Sequence, residues 1–116
     1  MNTQTSSKRT SRAAKIPVWI SYDLGKDGDF NNLYGWLKGY EAVECGNSTA
    51  MIYYTKGRGK TLVPSLRKEI EEAIELNANS RIYIIYRGPR NTLKERWLFG
   101  NSNPSPVWSN YKPVIV

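Results

Sequence analysis

Three segments of the chain are typical of β-strands. Residues 18–23 alternate between two faces, and residues 49–55 and 81–87 are rich in the β-branched and aromatic side chains that strands favour. Residues 41–45 add a short strand, because the turn sequence at residues 46–47 joins them to residues 49–55 as a hairpin. Four strands are therefore predicted.

Two helices are predicted between these strands, from apolar residues that recur every three or four positions. The first stripe consists of Phe30, Leu33, Leu37 and Tyr40, and the second of Leu66, Ile70, Ala73 and Ile74. The resulting order predicts an α+β fold, a ferredoxin-like βαββαβ sandwich whose antiparallel sheet carries both helices on one face. This domain covers residues 16–88, between a flexible basic arm at residues 1–15 and a C-terminal extension at residues 89–116.

The predicted helices leave the other face of the sheet uncovered. Regular strand pairing places several large side chains on that face, namely Trp19, Met51, Tyr53, Tyr83 and Ile85. An apolar patch of this kind is seldom left in water. We therefore expect a partner to cover it, most simply a second copy of the chain.

The C-terminal extension has three parts. A short helix is predicted at residues 93–99, a Pro-rich linker follows at residues 101–106, and the end of the chain is apolar and includes Trp108. We expect this end to dock on the sheet of its own chain or of a partner. Trp108 is therefore counted among the residues that we expect to contact a partner.

The net charge of +7 is unevenly distributed along the chain. The first fifteen residues carry four cations, among them Lys8, Arg9 and Arg12, and no acidic residue, so the arm holds more than half of the excess. Such an arm gathers polyanions by counterion release. A role in solubility explains the same composition.

The residue types that are missing exclude several kinds of chemistry. The chain has no histidine and a single cysteine, Cys45, which excludes an internal disulfide, a multi-cysteine zinc site and a histidine-based triad. Cys45 has no histidine to activate it and is expected to be a small buried residue. The sequence shows no apolar run that would span a membrane and no secretory signal. We expect a cytoplasmic protein without a membrane partner.

Two further groups of cations fall near the ends of predicted strands. Lys56, Arg58 and Lys60 alternate with glycines, a pattern that suits contacts to a phosphate backbone and also an ordinary solvated loop. The second group consists of Arg87, Arg90, Lys94 and Arg96. Tyr86 and Trp97 lie beside it, which suits binding of nucleic-acid strands by charge and stacking, and a solvated surface is the alternative.

These features together resemble Cas2 proteins and their stand-alone relatives. The first strand ends in Tyr22-Asp23, the third begins at Ser48-Thr49, and an acidic helix precedes an Ile/Tyr-rich fourth strand. The resemblance covers roughly residues 16–88. It implies a homodimer whose sheets face each other and which holds nucleic acid by its backbone. The basic arm and the long C-terminal extension depart from the family pattern. They suit a relative that no longer serves in CRISPR adaptation, the role of Cas2 proteins.

The resemblance also implies a catalytic, metal-binding role for Asp23. A carboxylate at the end of the first strand, paired with that of a dimer mate, would bind Mg²⁺ or Mn²⁺ and stabilise the charge of phosphodiester cleavage. Asp27 and Asp29 lie close in sequence, but helix capping is the favoured interpretation for both. A metal cofactor is expected only if the protein is a nuclease.

Three functions from different classes remain open. The first is a Cas2-like homodimer that binds nucleic acid independently of sequence. The second is a metal-dependent nuclease built on Asp23. The third is a small inhibitor or antitoxin, of the kind found in phage defence, that acts by binding a protein through the aromatic face or the Trp108 tail. Fold alone does not choose among them.

Overall fold

A computed structural model describes residues 15–115 and shows an α+β protein, as predicted. Its helices and strands, in chain order, are β1 (Lys15–Asp23), α1 (Phe30–Gly39), β2 (Val43–Glu44), β3 (Thr49–Thr55), α2 (Leu62–Ala73), β4 (Arg81–Arg87) and β5 (Leu93–Phe99). The five strands form one antiparallel sheet in the order β2-β3-β1-β4-β5. In the described part of the chain, neither helix is long and apolar enough to cross a membrane. The arm cations Lys8, Arg9 and Arg12 lie outside the described residues.

The core lies between the sheet and the two helices. Val18 and Ile20 of the central strand are at most 1% exposed, and Ile20 stands beside the equally buried Ile84 of β4. The helices contribute the buried residues Leu33, Leu37, Leu62, Leu66 and Ile70. Burial of one such aliphatic side chain contributes roughly 1.5–3 kcal/mol, so this shared layer holds the helices on the sheet.

Residues 93–99 form strand β5, so the predicted helix was wrong. Without β5, β4 would be an edge strand with unpaired backbone groups. The tight turn at Pro89–Asn91 reverses the chain so that the next residues pair with β4. Arg90 and Asn91 adopt positive φ angles of 58° and 64° in this turn, a conformation that is uncommon outside glycine. The sheet therefore continues beyond residue 88, where the predicted domain ended.

Asp29 caps α1, which confirms the prediction for this residue. Its Oδ1 accepts a hydrogen bond from the backbone N–H of Asn32 at 3.3 Å. Its Oδ2 accepts another from the backbone N–H of Glu75, just after α2, at 2.9 Å. The bond from Glu75 first, and then those from Asn32, lower the pKa of Asp29. One carboxylate thus joins the start of α1 to the end of α2.

A second connection joins the C-terminal end of α1 to α2. Glu69 on α2 accepts hydrogen bonds from the indole N–H of Trp36, at 3.0 Å, and from the hydroxyl of Tyr40. Burial, followed by the bond to Glu69, raises the pKa of Tyr40. The phenol therefore stays neutral and keeps donating its proton to the carboxylate.

Cys45 is exposed, so the expectation of a buried cysteine was wrong. It directly follows the two-residue strand β2 at the edge of the sheet, in the turn that leads to β3. This position lies outside the packed layer between sheet and helices.

Candidate functional site

A half-open cleft of about 870 Å³ lies at one end of the sheet. Its walls come from the start of β1, the end of β4, one residue of β5, the residue after β3 and the start of α2. Because β1 runs antiparallel to both neighbours, its first residues lie beside the last residues of β3 and β4. The cleft therefore depends on the assembled sheet and not on any one segment of the sequence.

Five basic residues line this cleft, and we name them the basic cluster: Lys15, Lys56, Arg67, Arg87 and Arg96. Among residues 15–115, no aspartate or glutamate lines it. The one ion pair of that region joins Arg81 to Asp23 at the other end of the sheet. The five positive charges thus have no carboxylate partner in the described chain, and a concave surface of this kind attracts anions.

The members of the basic cluster differ in how firmly they are held. Arg67 Nε donates a hydrogen bond to the carbonyl oxygen of Leu98 at 3.1 Å, and Lys56 Nζ donates one to the carbonyl oxygen of Lys60 at 3.0 Å. Arg87 and Arg96 are exposed. Arg67 and Lys56, which are half-buried, are therefore positioned by the fold. The exposed side chains of Arg87 and Arg96 are free to reach a ligand.

The floor of the cleft is apolar. Leu62 is buried, and Ile16, Val63 and Tyr86 are half-buried. Helix α2 begins here, with no acidic residue in its first turn and no side-chain hydrogen bond at its N-cap, Thr61. The partial positive charge of the helix start adds to the field of the basic cluster. An apolar floor inside a cationic rim suits a ligand with one apolar and one anionic part.

The structure brings together only some of the predicted phosphate-binding residues. Lys56, Arg87 and Arg96 meet in the cleft, although they come from three different parts of the chain. Arg58 and Lys60 lie in the loop between two lining residues but do not line the cleft themselves. Arg90 is exposed in the turn after β4 and does not line it either.

Two members of the basic cluster were missed as site residues. Lys15 was assigned to the arm, but it is the first residue of β1 and pairs with Thr55. Arg67 was not singled out in the sequence, but it lies four positions after Val63, so both side chains are on the same flank of α2. The four-residue spacing predicts the position of Arg67 only if β5 is already known to lie beside this flank of α2.

Asp23, the predicted catalytic and metal-binding residue, lies at the opposite end of β1 from Lys15. The strand rises by eight residues between the two positions, a distance of roughly 26 Å. The Asp23 side chain is 66% exposed, lies 3.7 Å from Arg81, and accepts a hydrogen bond from the backbone N–H of Gly25. Between residues 15 and 115 no group of three potential metal ligands occurs. Metal binding and catalysis by Asp23 stay predictions.

The sheet face opposite the helices, here the open face, carries the predicted aromatic residues. Trp19 stands beside Met51 on one side and Ile85 on the other, and Tyr53 stands beside Pro17. The exposed fraction is 38% for Trp19 and 56% for Tyr53. No described part of the chain covers this surface.

Strand β5 adds Trp97 to the open face, where its ring lies 4.8 Å from that of Tyr83 and 5.2 Å from the guanidinium carbon of Arg81. The Tyr83 hydroxyl donates a 2.7 Å hydrogen bond to Glu95, which raises the pKa of Tyr83. Trp97 therefore does not join Tyr86 at the cleft, as its position in the sequence suggested. It packs against Tyr83 and Arg81 on the other face.

The C-terminal tail follows β5. Trp108 is 69% exposed and Ile115 is 92% exposed, so this segment docks on no described part of its own sheet.

Searches of protein-family models, of curated proteins and of solved structures found no match to this chain. The functional argument therefore depends on the residues and their geometry. The resemblance to Cas2 proteins stays a prediction.

Proposed function

We propose that this protein binds nucleic acid through contacts to phosphate groups at the end of the sheet that carries the basic cluster, here the basic end. The observation that carries the proposal is a cleft that five cations and no carboxylate line among the described residues. Arginine and lysine are the usual side-chain donors to phosphate, and the arginine fork binds it with two parallel hydrogen bonds. Because phosphate contacts carry no base information, this binding is independent of sequence.

Cations outside the cleft extend the proposed surface. Arg58 and Lys60 flank it on one side and Arg90 on another. The arm joins the domain at Lys15, which lines the cleft. Three further cations, Lys8, Arg9 and Arg12, belong to the arm and are included in the proposed phosphate contacts.

We further propose a Cas2-like homodimer with a ferredoxin-like core to which β5 adds an edge strand. The order of the elements from β1 to β4 supports the fold. The open face supports the dimer, because Trp19 and Tyr53 remain exposed on it, and a two-fold axis across the face would cover both copies of the patch at once.

One alternative has an observation of its own. The exposed tail residues Val107, Trp108 and Tyr111 form an apolar segment that a partner protein is able to bind, as an inhibitor or antitoxin requires. In that case nucleic acid binds only weakly, and the tail carries the affinity for the partner. A nuclease built on Asp23 lacks comparable support, since its side chain is ion-paired and lies far from the basic cluster.

The salt dependence of duplex DNA binding tests the proposal. Each phosphate contact contributes about 0.9 to the slope of log affinity against log salt concentration. The double variant Arg87→Gln/Arg96→Gln should therefore lower the slope by about 1.8. Lys26→Gln/Lys68→Gln removes the same charge from exposed residues outside the cleft and should leave the slope unchanged. Absence of binding at about 100 mM salt, or equal effects of the two variants, would overturn the proposal.

Sedimentation equilibrium tests the proposed dimer. Tyr53→Lys places a charge on the open face and should convert the dimer to a monomer. Tyr34→Lys is a matched control, because Tyr34 is 52% exposed on α1 and Tyr53 is 56% exposed. A native protein that is monomeric at all concentrations would contradict the dimer and leave the basic cluster unaffected.

A further inference from the structure

We infer that the cleft holds one unstacked nucleotide of a single strand, with its base on the apolar floor and its phosphates on the basic cluster. This inference rests on the proposed function and specifies the form of nucleic acid that the site prefers. It predicts that a single strand or a frayed end is bound in a way that an intact duplex is not.

The dimensions of the cleft support a nucleotide as the ligand. Its volume of about 870 Å³ falls within the range of roughly 300–1,000 Å³ that is typical of sites for small organic ligands. A nucleotide is a ligand of that size, whereas a duplex is too wide to enter. A base inside a duplex is paired and stacked, so it reaches a pocket only when it is extruded or already single-stranded.

The arrangement of polar and apolar groups also matches one nucleotide. A site for phosphate alone would not need the apolar surface of Ile16, Val63 and Tyr86, which line the same cleft as the cations. Arg87 and Arg96 approach the cleft from opposite faces of the sheet, since Arg87 pairs with Leu93 on the open face and Arg96 with Ile84 on the helix side. One of these arginines would therefore bind the phosphate on the 5′ side of the bound nucleotide, and the other the phosphate on its 3′ side.

Tyr86 is the one aromatic residue among the described residues that line the cleft, and we assign the stacking contact to it. It lines the cleft and is half-buried, between Val18 and Lys94 in the register of the sheet. The aromatic pair on the open face is different, because Trp97 already packs against Tyr83 and Arg81. Stacking on an aromatic side chain is how proteins bind single strands without sequence preference.

Fluorescence anisotropy on the native protein tests the inference with three probes of equal length: oligothymidylate, its abasic counterpart and a blunt duplex. The abasic strand keeps the phosphates and removes the bases. It should bind about tenfold more weakly than oligothymidylate, the loss expected for one stacked base. The duplex should bind through its phosphates alone, with an affinity that falls as the salt concentration rises.

Two variants locate the effect. Tyr86→Leu should lower the affinity for oligothymidylate about tenfold and leave that for the abasic strand unchanged. Arg87→Gln should weaken both strands equally, because it removes a phosphate contact. Tyr34→Leu, on the exposed surface of α1, is the control and should change neither. The comparison of the two strands on the native protein needs no variant, so it stands even if Tyr86→Leu fails to fold.

The outcomes separate this inference from the proposed function. Equal and tight binding of the abasic strand and oligothymidylate would overturn the inference, while the proposed phosphate binding would stand. No binding of any probe would overturn both. Thymidine monophosphate, added as a competitor, should displace the strand only at far higher concentration. If it bound more tightly than the strand, the ligand would be a free nucleotide and the inference about strands would be wrong.

Discussion

The two ends of the sheet differ in whether their charged side chains have partners within the protein. At the acidic end, where β1 ends and α1 begins, Asp23 pairs with Arg81, and Asp29 accepts two backbone hydrogen bonds. At the basic end, the five residues of the basic cluster face one cleft without a carboxylate among the described residues. Charges that the protein compensates itself serve the fold. Charges that it leaves uncompensated are available for a ligand.

Reversing charge at the basic end is the strongest test of this contrast. Arg87→Glu/Arg96→Glu should lower the affinity for a duplex about a hundredfold, because two charge-assisted hydrogen bonds to phosphate are lost and repulsion replaces them. The matched reversal Lys26→Glu/Lys68→Glu changes net charge equally, but away from the cleft, and screening should make its effect small. Anisotropy titration measures both. A similar loss in the two variants would mean that net charge alone governs binding.

The role of Asp29 in the fold gives the largest expected effect at the acidic end. Asp29→Ala deprives the backbone N–H groups of Asn32 and Glu75 of their acceptor, which should lower the melting temperature by several degrees. Asp27→Ala, at an exposed position of the preceding turn, should have little effect. If both variants were equally stable, Asp29 would not connect the helices.

This contribution should depend on pH in a defined direction. The folded state lowers the pKa of Asp29 below its ordinary value of 3.8, so its stabilisation is present above that pH and is lost as the pH falls below it. Urea unfolding of the native chain and of Asp29→Ala at neutral and acidic pH should show the difference between them shrinking in acid.

Tyr40→Phe tests the connection between the helices and should have a smaller effect. Loss of the hydrogen bond to Glu69 should reduce the free energy of unfolding by about 1 kcal/mol. Because folding raises the pKa of Tyr40, its contribution is complete below the ordinary value of 10.0 and is lost as the pH rises above it. Tyr111→Phe, in the exposed tail, is the control. An equal alkaline loss of stability in the native chain and in Tyr40→Phe would contradict this assignment.

The ion pair of Asp23 and Arg81 should have the smallest effect. Both side chains are partly exposed and their charged atoms are 3.7 Å apart, so Asp23→Asn should reduce the free energy of unfolding by less than about 0.5 kcal/mol. It should also leave nucleic-acid binding unchanged. A Mg²⁺-dependent cleavage that this variant abolished would show that the acidic end is catalytic and that the contrast between the ends is wrong.

The local sequence predicted the faces of the sheet better than its edges. Alternation correctly placed Trp19 and Tyr53 on one face, since a strand turns successive side chains to opposite sides regardless of its neighbours. Residues 93–99 were misread because helical spacing of Leu93 and Trp97 is also compatible with a strand, and only the free edge of β4 decides between them.

The site was predictable only in part for a related reason. Lys56 and Arg87 were found because each lies in a basic group of the sequence. Arg67 was missed because it lies outside the basic groups of the sequence and just before the acidic segment that begins at Glu69. Its place at the cleft follows from the packing of α2 against β5. That no carboxylate of residues 15–115 lines the cleft is likewise a property of the assembled fold.

Chemical-shift mapping by NMR tests the central claim most directly, because it locates the bound ligand on the molecule. A ¹⁵N-labelled sample would be titrated with short oligothymidylate at low salt. We predict that the backbone amides near Lys15, Lys56, Tyr86 and Arg96 shift progressively while those near Asp23 and Asp29 do not. Shifts confined to the acidic end or the open face, or no shifts at all, would contradict the account.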